Sequence, residues 1–177
     1  LTNNPTAKGR MEKMGILSME KAVSLGVTGP SGRASGWACD VRKIAPYAGY
    51  DKIDFEQVLF ETGDTFDRYL IRLKEIEQSL KIIEHLINNL PDDGFKAKTP
   101  AIIKLPAGEY YQRVENARGD FGVYINSTGD KNPYRVKFRS PCMTLISALD
   151  PLCQNEMIAD LIMIGASLDY VIPCADR

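Results

Sequence analysis

The residues best suited to metal binding or nucleophilic catalysis in this sequence are four cysteines and one histidine. Cys39, Cys142, Cys153 and Cys174 are scattered, and no two stand at the two-residue spacing that binds zinc or an iron–sulfur cluster. We expect four reduced thiols in or near a core, where free cysteine behaves as a small hydrophobic residue. His85 lies within a helical pattern, and no serine or cysteine is visibly placed to be its nucleophile partner. We therefore predict that it is a surface or boundary residue.

Residues 27–50 form a second candidate site. This stretch is rich in glycine, serine and proline, yet it carries charged and aromatic side chains, among them Arg33, Asp40 and Arg42. Loops of this length inside a compact domain are usually functional. We therefore predict a functional loop here and not a plain linker.

Asp160 is the one conspicuous charge in a helical segment at residues 155–167 that is apolar almost all round. Such a helix is expected at the buried centre of a bundle. An unpaired buried carboxylate is strongly unfavourable, so Asp160 must be paired or exposed. We predict an ion pair with a loop arginine such as Arg33 or Arg42, and proton transfer is the alternative role.

A long amphipathic helix is predicted at residues 65–90. Asp64 is a suitable N-cap and Pro91 ends the pattern, while Glu77 and Lys81 fall on the face toward water. The apolar residues recur at intervals of three and four and form one stripe. They are Phe66, Tyr69, Leu70, Leu73, Ile76, Leu80, Ile83, Ile87 and Leu90.

Alternating apolar and polar residues predict a β-hairpin at residues 119–139, with one apolar face and one basic face. The basic face serves either solvation or recognition. The whole chain, residues 1–177, is predicted to be a single α+β domain, mainly a helical bundle with the hairpin at its side.

The composition gives no support for nucleic-acid binding or for a membrane-spanning helix. The chain has 177 residues, 44% of them hydrophobic, and 22 Lys and Arg balance 23 Asp and Glu. The net charge thus gives no argument for nucleic acid or an anionic membrane surface. The longest apolar run, about ten residues at 157–166, is far short of the ~20 that span a bilayer. The start at Leu1, without an initiator Met or a leader pattern, leads us to expect a fragment or a processed chain.

A series of short motifs extends over nearly the whole chain. In order they are Leu1-Thr2-Asn3-Asn4, Thr28-Gly29-Pro30, Arg33-x-Ser35-Gly36, Asp40-x-Arg42-Lys43, Pro46-Tyr47, Gly63-Asp64-x-x-Asp67-Arg68-Tyr69, Gln78-Ser79, Pro106-Ala107-Gly108-Glu109, Gly119-Asp120-Phe121-Gly122-Val123-Tyr124, Pro133-Tyr134-Arg135, Ala159-Asp160, Asp169-x-Val171 and Asp176-Arg177. In order and approximate spacing they resemble the D-subunit family of NADH-quinone oxidoreductase, respiratory complex I. That family is homologous to the large subunit of nickel–iron hydrogenases.

The resemblance implies the C-terminal part of a nickel–iron hydrogenase large-subunit-like fold, whose vestigial metal site is remodelled as the head of a quinone chamber. Electrons would come from NADH through iron–sulfur clusters in sister subunits, and quinone reduction would be coupled to ion translocation. The implied partners are the B, C, H and I subunits of the hydrophilic arm and quinone, with no nucleic acid. The implied location is peripheral, on the cytoplasmic face of a bacterial inner membrane or the matrix side of the mitochondrial one.

The chain departs from the family in ways that limit this inference. The quinone-ligating His and Tyr of the family lie upstream of Leu1, so we expect no catalytic residue here, no cofactor bound by this chain and no quinone reduction by it alone. The connector at residues 92–105 is shortened. Cys174 stands where hydrogenase relatives have the second cysteine of a terminal C-x-x-C, but Val171 occupies the first position. We therefore predict no nickel and regard Cys174 as a tolerated replacement.

The resemblance also assigns roles to individual residues. Val171 corresponds to a position that lines the quinone cavity, and plain core packing is its alternative. Further roles in supporting the chamber fall to Arg33, Asp40, Arg42, Asp160, Asp176 and Arg177. The loop charges would anchor the C-terminal tail, and they could tune the potential of a nearby cluster.

Two other classes of protein remain open from the sequence. One is the large subunit of a membrane-bound hydrogenase or related ferredoxin-driven complex, which would need cysteine pairs at both ends of the full gene. The other is a non-catalytic scaffold paralogue. Fusion to the neighbouring C-subunit domain would place this segment late in a longer chain.

Overall fold

A computed structural model describes residues 2–92 and 94–176, and it consists of short helices, one long helix and a small sheet. The helices are α1 (Pro5–Gly9), α2 (Met19–Leu25), α3 (Gly29–Ala34), α4 (Val41–Ile44), α5 (Thr65–Asn88), α6 (Pro141–Cys153), α7 (Ile158–Leu168) and α8 (Ile172–Ala175), with a 3-10 turn at Tyr50–Lys52. The strands are β1 (Gly108–Asn116), β2 (Gly119–Ser127) and β3 (Arg135–Arg139). This mixture of helices with a small antiparallel sheet confirms the predicted α+β class.

The sheet is antiparallel in the order β1-β2-β3. The predicted hairpin is present as β2 and β3, with Val123 opposite Phe138. The first strand was not predicted, because its sequence is polar and all its residues are exposed or half-exposed. It pairs with β2 along its full length, from Gly108 opposite Ser127 to Asn116 opposite Gly119.

The main core lies between α2, α6 and α7. Eight buried apolar residues form it: Leu17, Ala22, Val27, Leu145, Ala148, Leu152, Ile164 and Leu168. A smaller cluster of Ile53, Phe55 and Ile82 packs beside the second half of α5. Burial of a complete Leu, Ile or Phe side chain stabilises the folded state by about 1.5–3 kcal/mol. The main core, which includes residues of α6, is therefore the chief source of stability for the C-terminal half of the chain.

The long helix begins and ends close to the predicted positions. The side chain of Asp64 caps it by accepting the Asp67 N–H at 2.8 Å. The later part of its apolar stripe, however, does not pack against the described part of the chain, since Ile76 is 56% exposed and Leu80 60%. The buried residues of α5 are instead Thr65, Asp67, Arg68, Ile71, Gln78 and Ile82.

The prediction of a fully buried helix at residues 155–167 was wrong. In α7, Ile158 is 91% exposed and Ile162 is 79% exposed. Its buried residues are Asp160, Ile164, Gly165 and Leu168, so only one side of α7 meets the core. No helix in residues 2–92 and 94–176 is both long enough and apolar enough to cross a membrane.

The predicted loop at residues 27–50 instead contains two short helices, and every residue of α3 is buried. Gly29 allows α3 to approach the sheet closely, because its φ is +69° and a Cβ there would lie 2.5 Å from the Gly119 Cα. The Thr28 hydroxyl accepts the Asp120 N–H at 3.0 Å in the same contact. This approach brings Arg33 within reach of the end of β1.

Candidate functional site

A buried ion-pair network is centred on Arg33, whose exposed fraction is 1%. Its Nε and Nη2 donate to Glu75 Oε1 of α5 at 2.8 and 2.6 Å. Its Nη1 donates to Glu115 Oε1 of β1 at 2.7 Å and to the Cys39 carbonyl at 3.1 Å. One guanidinium thus connects α3 to the long helix and to the sheet, with charge-assisted bonds of the strong type.

Asp40 and Arg42 extend this network. Asp40 caps α4, and its carboxylate accepts from Arg42 Nε at 3.0 Å and Nη2 at 2.7 Å. Asp40 Oδ2 also lies 3.8 Å from Arg33 Nη1. With Glu75 and Glu115, the network contains two arginines and three carboxylates, which gives a formal charge of −1 when all are ionised. We refer to these five residues as the Arg33 network.

The two acids that lie deepest in the network have pKa values shifted in opposite directions. For Glu115, burial is the largest influence and raises its pKa above the ordinary value against the effect of Arg33. For Asp40, burial also acts to raise the pKa, but the bonds and charges of Arg42 and Arg33 outweigh it and hold the pKa below its ordinary value. Glu115 is therefore more readily protonated than Asp40 as the pH falls.

The Arg33 network borders a cleft of about 300 Å³ between α3, α5 and the β1–β2 turn. Arg72 and Asp169 complete the charged part of its lining. Arg72 Nη1 donates to the Arg68 carbonyl at 2.9 Å, and burial lowers the pKa of Arg72. The charged groups around the cleft thus already have hydrogen-bond or ion-pair partners within the chain.

Arg68 belongs to one of the sequence motifs but was assigned no role from the sequence. It is buried without a carboxylate bonded to it. Its Nη1 donates to the Gly63 carbonyl at 2.6 Å and its Nη2 to the Gly15 carbonyl at 2.9 Å. Its Nε donates to Ser167 Oγ of α7 at 2.9 Å. Burial lowers the pKa of Arg68 to about 10, so the side chain remains charged at neutral pH.

A second cavity, of about 220 Å³, lies beside Arg68 between α5 and α7. Its walls are mostly apolar and include Met11, Tyr69, Met163 and Ala166. A mainly apolar cavity with one or two positioned polar groups is the usual form of a small-molecule site. The residues that form it come mainly from the start of α5 and the second half of α7.

Asp160 is paired, as expected, but with a different partner. Arg10 Nη2 donates to Asp160 Oδ1 at 2.6 Å, so the prediction of a pair with Arg33 or Arg42 was wrong. The carboxylate is 2% exposed and the Arg10 side chain 48%. The two residues are 150 positions apart, and a single sequence contains no signal for such a pairing.

We expect Arg10→Ala to lower the melting temperature Tm of the protein by roughly 5 °C, because it leaves the buried Asp160 carboxylate without its cation at a cost of about 1–3 kcal/mol. Lys8→Ala, two residues earlier, is the matched control, since its pair with Glu12 is about half exposed and contributes little. The comparison is made by differential scanning fluorimetry. Equal losses for the two variants would contradict the role of the Arg10–Asp160 pair.

The predicted tail residues lie apart from the Arg33 network. Val171 is half-buried and precedes α8 as its N-cap, and Asp176 is exposed at the end of α8. Arg177 lies outside the described residues. In the part of the chain that the structure describes, the ion pairs of the Arg33 network join its own members to each other. The prediction that these charges anchor the tail was therefore wrong for Asp176.

The segment before the tail is held by a residue that the sequence did not reveal. Arg118, in the turn between β1 and β2, donates through Nε to the Asp169 carbonyl at 2.7 Å.

The predicted positions of the histidine and the cysteines agree with the structure. His85 is exposed, and the four cysteines are buried or half-buried.

The chain matches the family model described as the 49-kDa subunit of respiratory-chain NADH dehydrogenase, over residues 1–104 and 95–177. It is 52% identical over 176 residues to the C/D subunit of NADH-quinone oxidoreductase from Bacteroides thetaiotaomicron, covering 99% of this chain and 33% of the relative. It is 47% identical over 174 residues to the D subunit of the same type of enzyme from Desulfitobacterium hafniense, covering 98% of this chain and 47% of that protein.

Among solved structures, the chain resembles a protein of the membrane-bound sulfane sulfur reductase, an archaeal respiratory membrane complex. The TM-score is 0.94 at 39% sequence identity, and the match covers 100% of this chain and 49% of the other. The chain thus spans about half the length of this structure and of the D-subunit relatives, and about a third of the C/D relatives.

Proposed function

Because the chain belongs to the family of the 49-kDa subunit of respiratory-chain NADH dehydrogenase, we propose that it forms part of the quinone-site subunit of an NADH-quinone oxidoreductase. In that complex, electrons from NADH pass through iron–sulfur clusters to quinone, and the reaction is coupled to ion translocation. The observation that carries the proposal is 52% identity, over 99% of the chain, to the C/D relative from Bacteroides thetaiotaomicron.

The proposed role of this chain in the reaction is to provide structural and electrostatic support. The Arg33 network joins α3, α4, α5 and β1 through buried charged bonds, which hold these elements in fixed positions. Rigid placement of the groups around a reaction site is what allows them to act on a substrate. Within the proposal, the upstream part of the full-length protein supplies the residues that bind and protonate quinone.

We place Val171 in the wall of the quinone chamber. Its side chain is half-buried, so the described part of the chain does not enclose it in a core. An apolar residue at such a position suits contact with a quinone ring. Asp160, Asp176 and Arg177 are proposed to support this wall through the C-terminal segment.

The iron–sulfur clusters are proposed to lie in sister subunits. A cluster needs four ligands of the thiolate or imidazole type. Among residues 2–92 and 94–176, no three His, Cys, Asp or Glu side chains come together in a way that could hold a metal ion.

The proposed assembly consists of the B, C, H and I subunits of the hydrophilic arm, bound peripherally at the cytoplasmic face of a bacterial inner membrane or its mitochondrial equivalent. The proposed fold is the C-terminal part of a hydrogenase large-subunit-like fold. Support comes from the helical core with a small sheet and from the similarity to a respiratory membrane complex.

A second candidate is reduction of sulfane sulfur, which the structural similarity to the archaeal complex favours. The two candidates differ in their electron acceptor. Membranes from a strain that lacks this protein are expected to lose NADH-driven reduction of a soluble quinone and to regain it when the gene is restored. Unchanged quinone reduction together with lost reduction of polysulfide would favour the second candidate instead.

A further inference from the structure

Two cysteine side chains meet where the C-terminal segment folds back onto the start of α6. Cys142 lies in the first turn of α6 and Cys174 in α8, and both contact Ser140. Ser140 Oγ lies 3.1 Å from Cys174 Sγ and accepts the Cys142 N–H at 3.2 Å. The serine therefore holds both cysteines in one small polar cluster.

The two thiols differ in access to solvent. Cys142 is completely buried, whereas Cys174 is half-buried. Burial raises the pKa of Cys142, although the Val171 N–H donates to its sulfur and acts in the opposite direction. A small reagent from solvent can thus reach Cys174 first. Cys142 can react only in a later step, with the modified Cys174.

We propose that Cys142 and Cys174 form a redox-active dithiol, at which a peroxide generates an intrachain disulfide. The Cys174 thiolate attacks the peroxide, so that a sulfur–oxygen bond forms, the oxygen–oxygen bond breaks and the leaving hydroxide takes a proton to become water. The Cys142 sulfur then attacks Cys174, a sulfur–sulfur bond forms, and the sulfenic oxygen leaves as a second water. Two thiols are oxidised and one peroxide is reduced.

The positions of the two helices favour this closure. A disulfide needs the two sulfurs to approach each other to about 2.05 Å. Helix α8 has four residues and no buried side chain, so it can shift toward α6, whose first residues are buried in the fold. The disulfide fixes α8, and the Val171 position at its start, against α6.

The remaining cysteines are internal controls. Cys153 is at the other end of α6, about 16 Å from Cys142 at the rise of an α-helix. Cys39 is buried beside the Arg33 network, where its carbonyl accepts from Arg33. Neither belongs to the thiol cluster around Ser140, so peroxide treatment should leave both unlinked.

The test uses the intact protein in its native assembly, treated with increasing hydrogen peroxide and then unfolded in the presence of N-ethylmaleimide, so that buried thiols are alkylated as well. After digestion without reductant, mass spectrometry is expected to find a peptide that joins Cys142 to Cys174, and dithiothreitol should remove it. The peptides with Cys39 and Cys153 should remain alkylated. Unlinked Cys174 that is alkylated, or is oxidised to sulfinic acid, would overturn the proposal, as would a link to another cysteine.

A variant separates the two chemical steps. In Cys142→Ser, the first step remains but the second cannot occur, so Cys174 should accumulate as a sulfenic acid that dimedone traps. In the wild type, dimedone labelling of Cys174 should be several-fold weaker because Cys142 resolves it. Equal labelling in both proteins would contradict the resolving role of Cys142, and if the variant does not accumulate, the linked wild-type peptide decides alone.

Discussion

Replacing Arg33 with alanine is expected to lower the Tm of the protein by roughly 10 °C, the largest effect of a single substitution in the Arg33 network. The change leaves Glu115, with a side chain 5% exposed, and Glu75, at 20%, without the cation that joins them. Removing one partner from a buried ion pair costs about 3–5 kcal/mol, and each kcal/mol lowers Tm by roughly 2–4 °C in a chain of this size.

The measurement is calorimetric unfolding of the purified protein, together with the amount that assembles in cells. Arg33→Lys should recover only part of the loss, because an ammonium cannot reproduce the paired guanidinium bonds. Lys74→Ala is the matched control, since its pair with Glu77 is more than half exposed on both sides. A Tm for Arg33→Ala equal to that of Lys74→Ala would contradict the proposed importance of the network.

The second large effect is expected for Arg68→Met. The substitution keeps an unbranched apolar chain but removes the donors to the Gly15 and Gly63 carbonyls, which are then left without these partners in the interior. A buried polar group without a partner costs about 1–3 kcal/mol, so the loss should be about 3 kcal/mol and Tm should fall by roughly 9 °C.

Arg72→Met provides the comparison for Arg68. Arg72 also contacts carbonyl oxygens, at 2.9 Å on Arg68 and at a longer 3.3 Å on Leu168. We expect a smaller decrease in Tm for Arg72→Met, because it releases one short bond where Arg68→Met releases several. Equal decreases in differential scanning calorimetry would mean that loss of charge, and not loss of carbonyl partners, determines the effect.

Local patterns in the sequence predicted elements well where caps and periodicity agree. The long helix was found because Asp64, the three- and four-residue spacing and Pro91 all indicate the same segment. The β2–β3 hairpin was found from alternation. Strand β1 was missed because it is exposed, so the alternation that marks a half-buried strand is weak there.

The burial of helix faces was harder to predict. Periodicity in α5 and α7 identifies an apolar face, but what covers that face depends on which other elements pack there. Ile76 in α5 and Ile162 in α7 are exposed in the described part of the chain, while Arg68 and Asp160 are buried. Hydrophobicity alone therefore did not show which residues of these two helices are buried in the described part of the chain.

The ion pairs of the site depend on long-range geometry. Arg33, Asp40 and Arg42 were recognised as functional candidates from the composition of one segment. Their partners Glu75 and Glu115 come from α5 and β1, at separations of 42 and 82 residues from Arg33. The sequence located the centre of the network, but the chain fold was needed to identify its carboxylates.

The most direct test of the central claim is purification of the intact protein, tagged at its C-terminus, from its own membranes under mild detergent. Mass spectrometry should identify the other hydrophilic-arm subunits of an NADH-quinone oxidoreductase, and metal analysis of the same sample should find iron without nickel. Nickel with a hydrogenase small subunit, or a protein recovered without these partners, would contradict the account.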